Sequence, residues 1–326
     1  MALSKIQTNS ITDGNITTAK IADTAVHGYR NFIINGGFDV WQRGTSSTTH
    51  GYGSADRWFH YTSGTGLTYI RSTDVPSNSG LHYSITSTGT PTDQWHITQG
   101  IELPAVDDPG VFYNGQTITI SYWAKSSVSG DRLWNAIFFR TAVASSSGQV
   151  VVDYDTTDNN LLTTSWQRFS KTYTIGVDPA NSCNQLAIGI RTRNNAEDGN
   201  TPAGNIFVAG VQLELGSEAT PFEHRPYADE LLRCQRYYYK LNPGTRDYVP
   251  MFGDGNVWRI RSVDFPVTMH SIPACSITAT PASGASFTSS MPQVENASTQ
   301  TANCRLDITP TSEWVRLSTF TADAEL

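Results

Sequence analysis

The chain is short of charge. Asp, Glu, Lys and Arg make up 16% of its 326 residues, where a globular domain carries about a quarter. Basic residues are the scarcer sign: 22 Lys and Arg against 29 Asp and Glu leave a net charge of −7. Phosphate backbones are held by basic faces, so the composition argues against nucleic acid as the main ligand. Cysteine is also scarce. Cys183, Cys234, Cys275 and Cys304 form no C-x-x-C pair, which argues against zinc and dithiol redox chemistry. Four scattered thiols are expected to be free, as in a protein made in a reducing cytosol. No apolar run reaches the roughly 18 residues of a membrane span, so no membrane insertion is expected. The opening Met1-Ala2-Leu3-Ser4-Lys5-Ile6 lacks the charged-then-apolar order of a secretory signal. Disorder of the whole chain is excluded, because 38% of the residues are hydrophobic.

What the chain has instead is Ser, Thr, Gly, Asn and aromatics, the residues of strands and turns. From residue 29 to 225 the pattern is all-β, with short β-branched and aromatic runs between polar clusters. Strands are predicted at Asn31–Ile34, Arg57–Tyr61, Thr68–Ser72, Leu81–Ser87, Trp95–Leu103, Gln116–Lys125, Leu133–Ala142, Trp166–Ile175, Gln185–Thr192 and Asn205–Leu213. So many short strands without helical periodicity imply a two-sheet sandwich or barrel. Within one strand, Ile118, Ile120 and Tyr122 are expected on one face. Thr117, Thr119, Ser121 and Trp123 are expected on the other.

Three further segments complete the division. In residues 1–28, Ile6, Ile11, Ile16, Ile21 and Val26 recur every five residues, a period of neither helix nor strand. The segment is too short to bury them alone. It is either a disordered leader or a docking segment covered by another copy or another protein. In residues 226–241, Pro226 fits the first helical position. Tyr227, Leu231, Cys234, Tyr238 and Leu241 then follow a heptad seam, which suits an oligomer interface. Residues 242–326 read as a smaller β domain. Its expected features are a hairpin at Phe252–Asn256 and strands at Val257–Phe265, Cys275–Ala279, Arg305–Ile308 and Trp314–Phe320. A unit this small gains from oligomerisation.

Catalytic spacing is absent. Asp153, Asp155 and Asp158 cluster, and read either as a polar loop or as a calcium loop, without the EF-hand order. His27, His50, His60, His82, His96, His224 and His270 show no metal-ligand spacing, and there is no G-x-S-x-G elbow. Gly64-Thr65-Gly66 reads as a turn. The Tyr237-Tyr238-Tyr239 run reads as packing, because helical neighbours point in different directions. For sugar binding, the useful groups are aromatic faces beside hydrogen-bonding side chains. Trp123 with Lys125, and Trp134 with Arg140, are the candidates on their strands; Trp123 serves either packing, a subunit interface or a sugar platform. Trp58 and Trp166, at strand starts beside Arg57 and Arg168, are expected in the core.

Two stretches carry a resemblance. Asn31-Phe32-Ile33-Ile34-Asn35-Gly36-Gly37-Phe38-Asp39-Val40-Trp41-Gln42-Arg43-Gly44 resembles the opening of a sandwich domain of bacteriophage tail-fibre proteins. Gly210-Val211-Gln212-Leu213-Glu214-Leu215-Gly216, with Ala219-Thr220-Pro221-Phe222-Glu223 and Cys234-Gln235-Arg236-Tyr237-Tyr238, resembles its close. The leader, with Ser10-Ile11-Thr12-Asp13-Gly14 and Ile21-Ala22-Asp23, is similar to the N-terminus of such fibres. The resemblance implies a homotrimeric virion protein with a jelly-roll domain like carbohydrate-binding modules. It would dock on tail or baseplate proteins through its N-terminus and bind host cell-surface glycan. Synthesis in the host cytoplasm is expected with it, and the missing catalytic spacing leads to the expectation that the chain is not an enzyme. A structural calcium joining first and last strands would fall on Asp39 and Glu214, with backbone carbonyls near Gly37; the other reading of Glu214 is a hydrogen bond to backbone in a tight turn. A connector or decoration protein of the virion, and a glycan depolymerase, are the alternatives.

Overall fold

The computed structural model describes residues 30–61, 66–88, 95–141, 149–154, 160–192, 203–241, 248–249, 260–281, 286–287, 291–309 and 315–325. The five leader positions Ile6, Ile11, Ile16, Ile21 and Val26, the Phe252–Asn256 hairpin, Asp155 and Asp158 lie outside these residues.

Between residues 30 and 225 the described residues form an all-β jelly-roll sandwich of two antiparallel sheets. Sheet A contains β1 (Ser46–Ser47), β3 (Thr68–Ser72), β4 (Ser84–Thr88), β6 (Thr117–Ser126), β10 (Gln167–Thr174) and β12 (Ile206–Leu215), in the order β1-β3-β4-β12-β6-β10. Sheet B contains β2 (Phe59–His60), β5 (His96–Glu102), β7 (Arg132–Arg140), β8 (Val150–Tyr154) and β11 (Gln185–Arg191), in the order β2-β5-β11-β7-β8; β9 (Asn160–Leu161) pairs with β7. The connections β1–β2–β3, β4–β5–β6–β7 and β9–β10–β11–β12 cross from one sheet to the other, and the inward-pointing side chains meet between them. Trp58, Tyr69, Trp95, Ile97, Tyr122, Phe139, Ile188 and Leu213 are among the buried residues there. Each such side chain contributes about 1.5–3 kcal/mol by leaving water.

The expected strand at Asn31–Ile34 is a loop instead. It keeps one backbone bond to β12, from the Phe32 N–H to the Leu213 carbonyl at 3.0 Å, before Asn35 and Phe38 turn the chain with φ of +57° and +56°. Asn31 still mimics a strand neighbour. Its side-chain amide donates to the Val211 carbonyl at 3.0 Å, and its side-chain oxygen accepts from the Leu213 N–H at 3.0 Å.

The helix is shorter than its apolar spacing. α1 covers Tyr227–Gln235, with Pro226 at the N-cap and Asp229 and Glu230 in the first turn, where the helix dipole favours acids. Tyr238–Leu241 is strand β13, so Tyr238 and Leu241 leave the predicted seam. Cys234 is buried, Leu231 half-buried and Tyr227 exposed. The last residues of the predicted helix belong to the C-terminal module, because their backbone pairs with strand β21 (Val315–Asp323) far along the chain: Tyr238 meets Asp323 and Leu241 meets Phe320.

That module adds β14 (Tyr248–Val249) and β16 (Ala274–Pro281) to β21. A second sheet orders β15 (Ile260–Asp264), β19 (Thr301–Arg305) and β18 (Gln293–Ala297); β17 (Ser286–Phe287) pairs with β20 (Ile308–Thr309). Its core gathers Val263, Phe265, Met269, Cys304, Leu317 and Phe320. Strand β18 escaped the sequence reading, since Gln293-Val294-Glu295-Asn296 carries little apolar signal. None of the four cysteines forms a disulfide.

The module is fastened to the sandwich by polar contacts. Glu325 receives Arg57 and, at 2.8 Å, Arg43, while Arg43 also meets Asp323 at 2.9 Å. The Arg43 and Arg57 guanidiniums lie over the Tyr238 and Tyr237 rings, 3.6 and 3.5 Å from their centroids. A second cluster centres on Glu102, which pairs with Arg236 at 2.7 Å and accepts the Tyr237 hydroxyl at 2.9 Å. His270 stands 3.2 Å from the same carboxylate.

Candidate functional site

The predicted alternation of β6 is observed. Ile118, Ile120, Tyr122 and Ala124 join the core, leaving Thr119, Ser121, Trp123 and Lys125 on the outer face of sheet A. The chain then covers half of that face itself. After β12 it turns at Gly216 and returns across the sheet. Gln212 donates to the Pro221 carbonyl at 3.2 Å, Thr172 to the Ser217 carbonyl at 3.1 Å, and Arg168 to the Thr220 carbonyl.

The other half forms a shelf. Lys125 stands directly opposite Phe207 on β12, with its ammonium 5.0 Å from the Phe207 ring centroid and 5.4 Å from that of Trp166. The two rings meet edge to face at 6.3 Å. Asp74, just past β3, ties them together: its carboxylate accepts from Lys125 Nζ at 2.5 Å and from Trp166 Nε1 at 2.9 Å. Partial burial raises the Asp74 pKa, but these two hydrogen bonds outweigh it and hold the group below its ordinary value. Trp123 borders the shelf, half-buried, opposite Arg168 and Ala209. Beside it β12 carries a register shift between Ala209 and Gln212. Gly210 takes φ +58° there, and a Cβ would press to 2.9 Å from Leu81. Only glycine accommodates that bend comfortably.

Trp134 and Arg140 do not join this shelf. They lie on β7 in sheet B, so the sandwich thickness separates them from Trp123 and Lys125. They are also closed in, with 4% and 8% exposure. Arg140 packs over Phe138 at 4.4 Å and reaches the Tyr61 hydroxyl at 3.4 Å. Tyr61 in turn stacks on His96 at 4.2 Å. These side chains are therefore packed structure here rather than an open platform.

The two carboxylates proposed for calcium have separate partners. Glu214 accepts from the Thr220 N–H at 3.1 Å and from the Thr220 hydroxyl, fixing the turn after β12. Asp39 faces His82 at 3.3 Å. Burial raises the Asp39 pKa, against the lowering effects of His82 and His224. Among the described residues, no three His, Cys, Asp or Glu side chains gather into a metal-holding group. No helix among them is long and apolar enough to cross a membrane.

Trp58 is core, as expected, but Trp166 is not: its ring is half-exposed on the shelf. Phe207 and Asp74 were missed. Phe207 had a signal, since strand alternation turns it outward between Ile206 and Val208. Asp74 had none, because only the fold brings its loop to β6.

No known family profile matches the sequence, and no curated protein matches it. Solved structures do. A family 4 carbohydrate-binding module shares 20% identity over 56% of this chain and 98% of its own, with a TM-score of 0.36. A CBM22-1 xylan-binding domain from Paenibacillus barcinonensis shares 13% over 53% of this chain and 94% of its own, at 0.32. A family 11 carbohydrate-binding module from Clostridium thermocellum, in complex with a mixed-linked tetrasaccharide, shares 17% over 50% and 91%, at 0.31. At these identities and scores no residue role transfers from them.

Proposed function

We propose that the protein is a non-catalytic adhesin of a bacteriophage tail fibre that binds neutral host-surface glycan on the open half of sheet A. The observation that carries this reading is the shelf. Trp166, Phe207 and Trp123 offer ring faces for the apolar side of a sugar, and Lys125 and Asp74 offer hydrogen-bonding groups beside them. A pyranose needs this pairing of an apolar face with polar edges. The tail-fibre setting, the location in the virion, the N-terminal docking on tail or baseplate proteins and the homotrimer rest on the motif resemblance. Exposed Tyr227 and Leu232 on α1 are compatible with burial between copies. Three copies would raise avidity by roughly 10²–10⁴ without new contacts.

The test is binding of the full-length protein to host cells and to a panel of neutral polysaccharides. Trp166→Ala and Lys125→Ala should each weaken binding by about threefold to tenfold per site, in line with a lost aromatic or cation–π contact. Undiminished binding by both variants would overturn the assignment of the shelf. Release of reducing ends from the same polysaccharides would replace the adhesin with a depolymerase. Light scattering that finds a stable monomer would remove the trimer.

A further inference from the structure

A cavity of about 310 Å³ lies between the Gly37–Asp39 loop, the turn at Gly80 and the segment from Phe222 to Arg225. Ligand pockets span roughly 300–1,000 Å³, so this one suits a single small ring rather than a chain. Its walls combine the Asp39 carboxylate, the His82 and His224 imidazoles and the Phe222 ring.

Glu223, Arg225 and Glu230 in its lining are already engaged. Glu223 accepts from the Arg30 and Asn31 backbone N–H groups at 2.9 and 3.1 Å, and Arg225 pairs with Glu230 at 3.2 Å. Asp39 and His224 retain capacity. Asp39 Oδ1 faces His82, while Oδ2 has no hydrogen-bond partner among the described residues. His224 Nε2 lies 3.0 Å from the Ser79 carbonyl. A carbonyl only accepts, so Nε2 carries the proton and Nδ1 of the neutral ring is an acceptor.

Two glycines keep the space clear. A Cβ on Gly37 would sit 3.0 Å from Asp39 Oδ2 and 3.5 Å from the Phe222 ring. A Cβ on Gly80, at φ +71°, would sit 3.0 Å from the His224 ring.

We propose that this cavity is a second carbohydrate site that holds one neutral sugar residue. Asp39 Oδ2 and His224 Nδ1 accept hydrogen bonds from sugar hydroxyls, and Phe222 faces the ring's C–H side. With neutral imidazoles, Asp39, Glu223 and Glu230 outweigh Arg225, so the lining repels anionic sugars. The inference rests on the glycan-binding reading but uses none of the shelf residues.

The experiment is ligand-observed saturation-transfer NMR and titration on the full-length chain. The probes are methyl β-glucoside, methyl β-galactoside and N-acetylglucosamine, with N-acetylneuraminate as the anionic control. At least one neutral probe should bind and the control should not. Asp39→Asn, which keeps the shape and removes the charge, and Gly37→Ala, which fills the cavity, should each weaken binding by about tenfold or more. Thermal melts monitor the fold of both variants, and Val106→Ser, at an exposed position between β5 and β6 outside the cavity lining, should leave the affinity unchanged. The proposal is overturned if no neutral probe binds, if both cavity variants bind like the parent, or if binding vanishes with chelator and returns with calcium. Should polysaccharide binding fail while a single sugar still titrates into the cavity, the shelf falls and this site stands.

Discussion

Among the described residues the sandwich core gathers thirty buried hydrophobic side chains, and the C-terminal core nine, three of them alanines. The larger core includes two tryptophans and three tyrosines; the smaller has Phe265, Met269 and Phe320 as its bulkiest members. Burial therefore accounts for the sandwich, while the module's placement depends on buried charge. Arg57 and Glu325 retain 1% and 5% side-chain exposure. A pair that deep costs desolvation on both sides and returns it only while both partners are present. The first unit tolerates the loss of a surface contact; the second depends on a few specific atoms.

The strongest test of this contrast is Glu325→Ala. It strands the Arg57 guanidinium in a dry site and is expected to cost about 3–5 kcal/mol. Urea denaturation should show the module's transition moving early, with the sandwich transition less affected. Arg57→Met combined with Glu325→Ala should recover much of the loss. A single variant that unfolds like the parent would remove charge from its place in the comparison.

Acid should separate the two units next. His60 is buried against Tyr69, stacked at 4.4 Å, and burial, with Arg43 adding, pushes its pKa down from 6.5 to about 3. The unfolded chain therefore takes up this proton first, and stability drains as pH falls from 6.5 toward 3. Each pH unit within that window is worth about 1.4 kcal/mol per proton. His60→Phe keeps the stack and should flatten this slope. Asp56 works against it: burial raises its pKa from 3.8 to about 6, so protonation favours the fold as pH falls from 6 toward 3.8. Asp56→Asn should remove that opposing gain.

The junction with the module responds later. Glu102 is held at about 2, below its ordinary 4.5, by the His270 hydrogen bond first, then by Arg236 and Tyr237 against the opposing effect of burial. Its contribution is complete above pH 4.5 and is lost as pH falls toward 2. Limited proteolysis of Glu102→Gln against the parent should differ at pH 6 and converge near pH 2. A difference that persists at pH 2 would contradict the assignment.

The smallest effect belongs to the shelf. Asp74→Ala breaks an ion pair whose carboxylate is 46% exposed, and should cost at most about 1 kcal/mol of stability. Polysaccharide affinity should still fall, because Asp74 orients Trp166. A large stability loss with intact binding would make the shelf a packing device.

Much of the sandwich was legible because a half-buried strand advertises itself through alternation. β3 was placed residue for residue at Thr68–Ser72, and β6 within one residue of each end. The failures share a cause. Phe32-Ile33-Ile34 has the composition of a strand, but its conformation is set by a turn closed through residues nearly two hundred positions away. The seam from Tyr227 to Leu241 keeps helical spacing, yet pairing with β21 turns its second half into strand. The site was half legible: Trp123 and Lys125 face outward because β6 alternates, while their neighbour Asp74 is supplied by tertiary folding. Trp134 was misjudged because sequence alternation cannot tell which outer face remains open.

The pinning of Glu325 has a consequence for biosynthesis. Asn31 must wait for Val211 and Leu213 to emerge before the sandwich can close, but Arg43 and Arg57 wait far longer. Their countercharges lie at residues 323 and 325. On the ribosome, a chain that has emerged only as far as residue 322 would thus carry a closed sandwich with two guanidiniums lacking these countercharges beside an incomplete β unit. Residues 323 and 325 thus act as a completion signal for this unit, and a polypeptide truncated before them would leave positive charge without its partners at the junction.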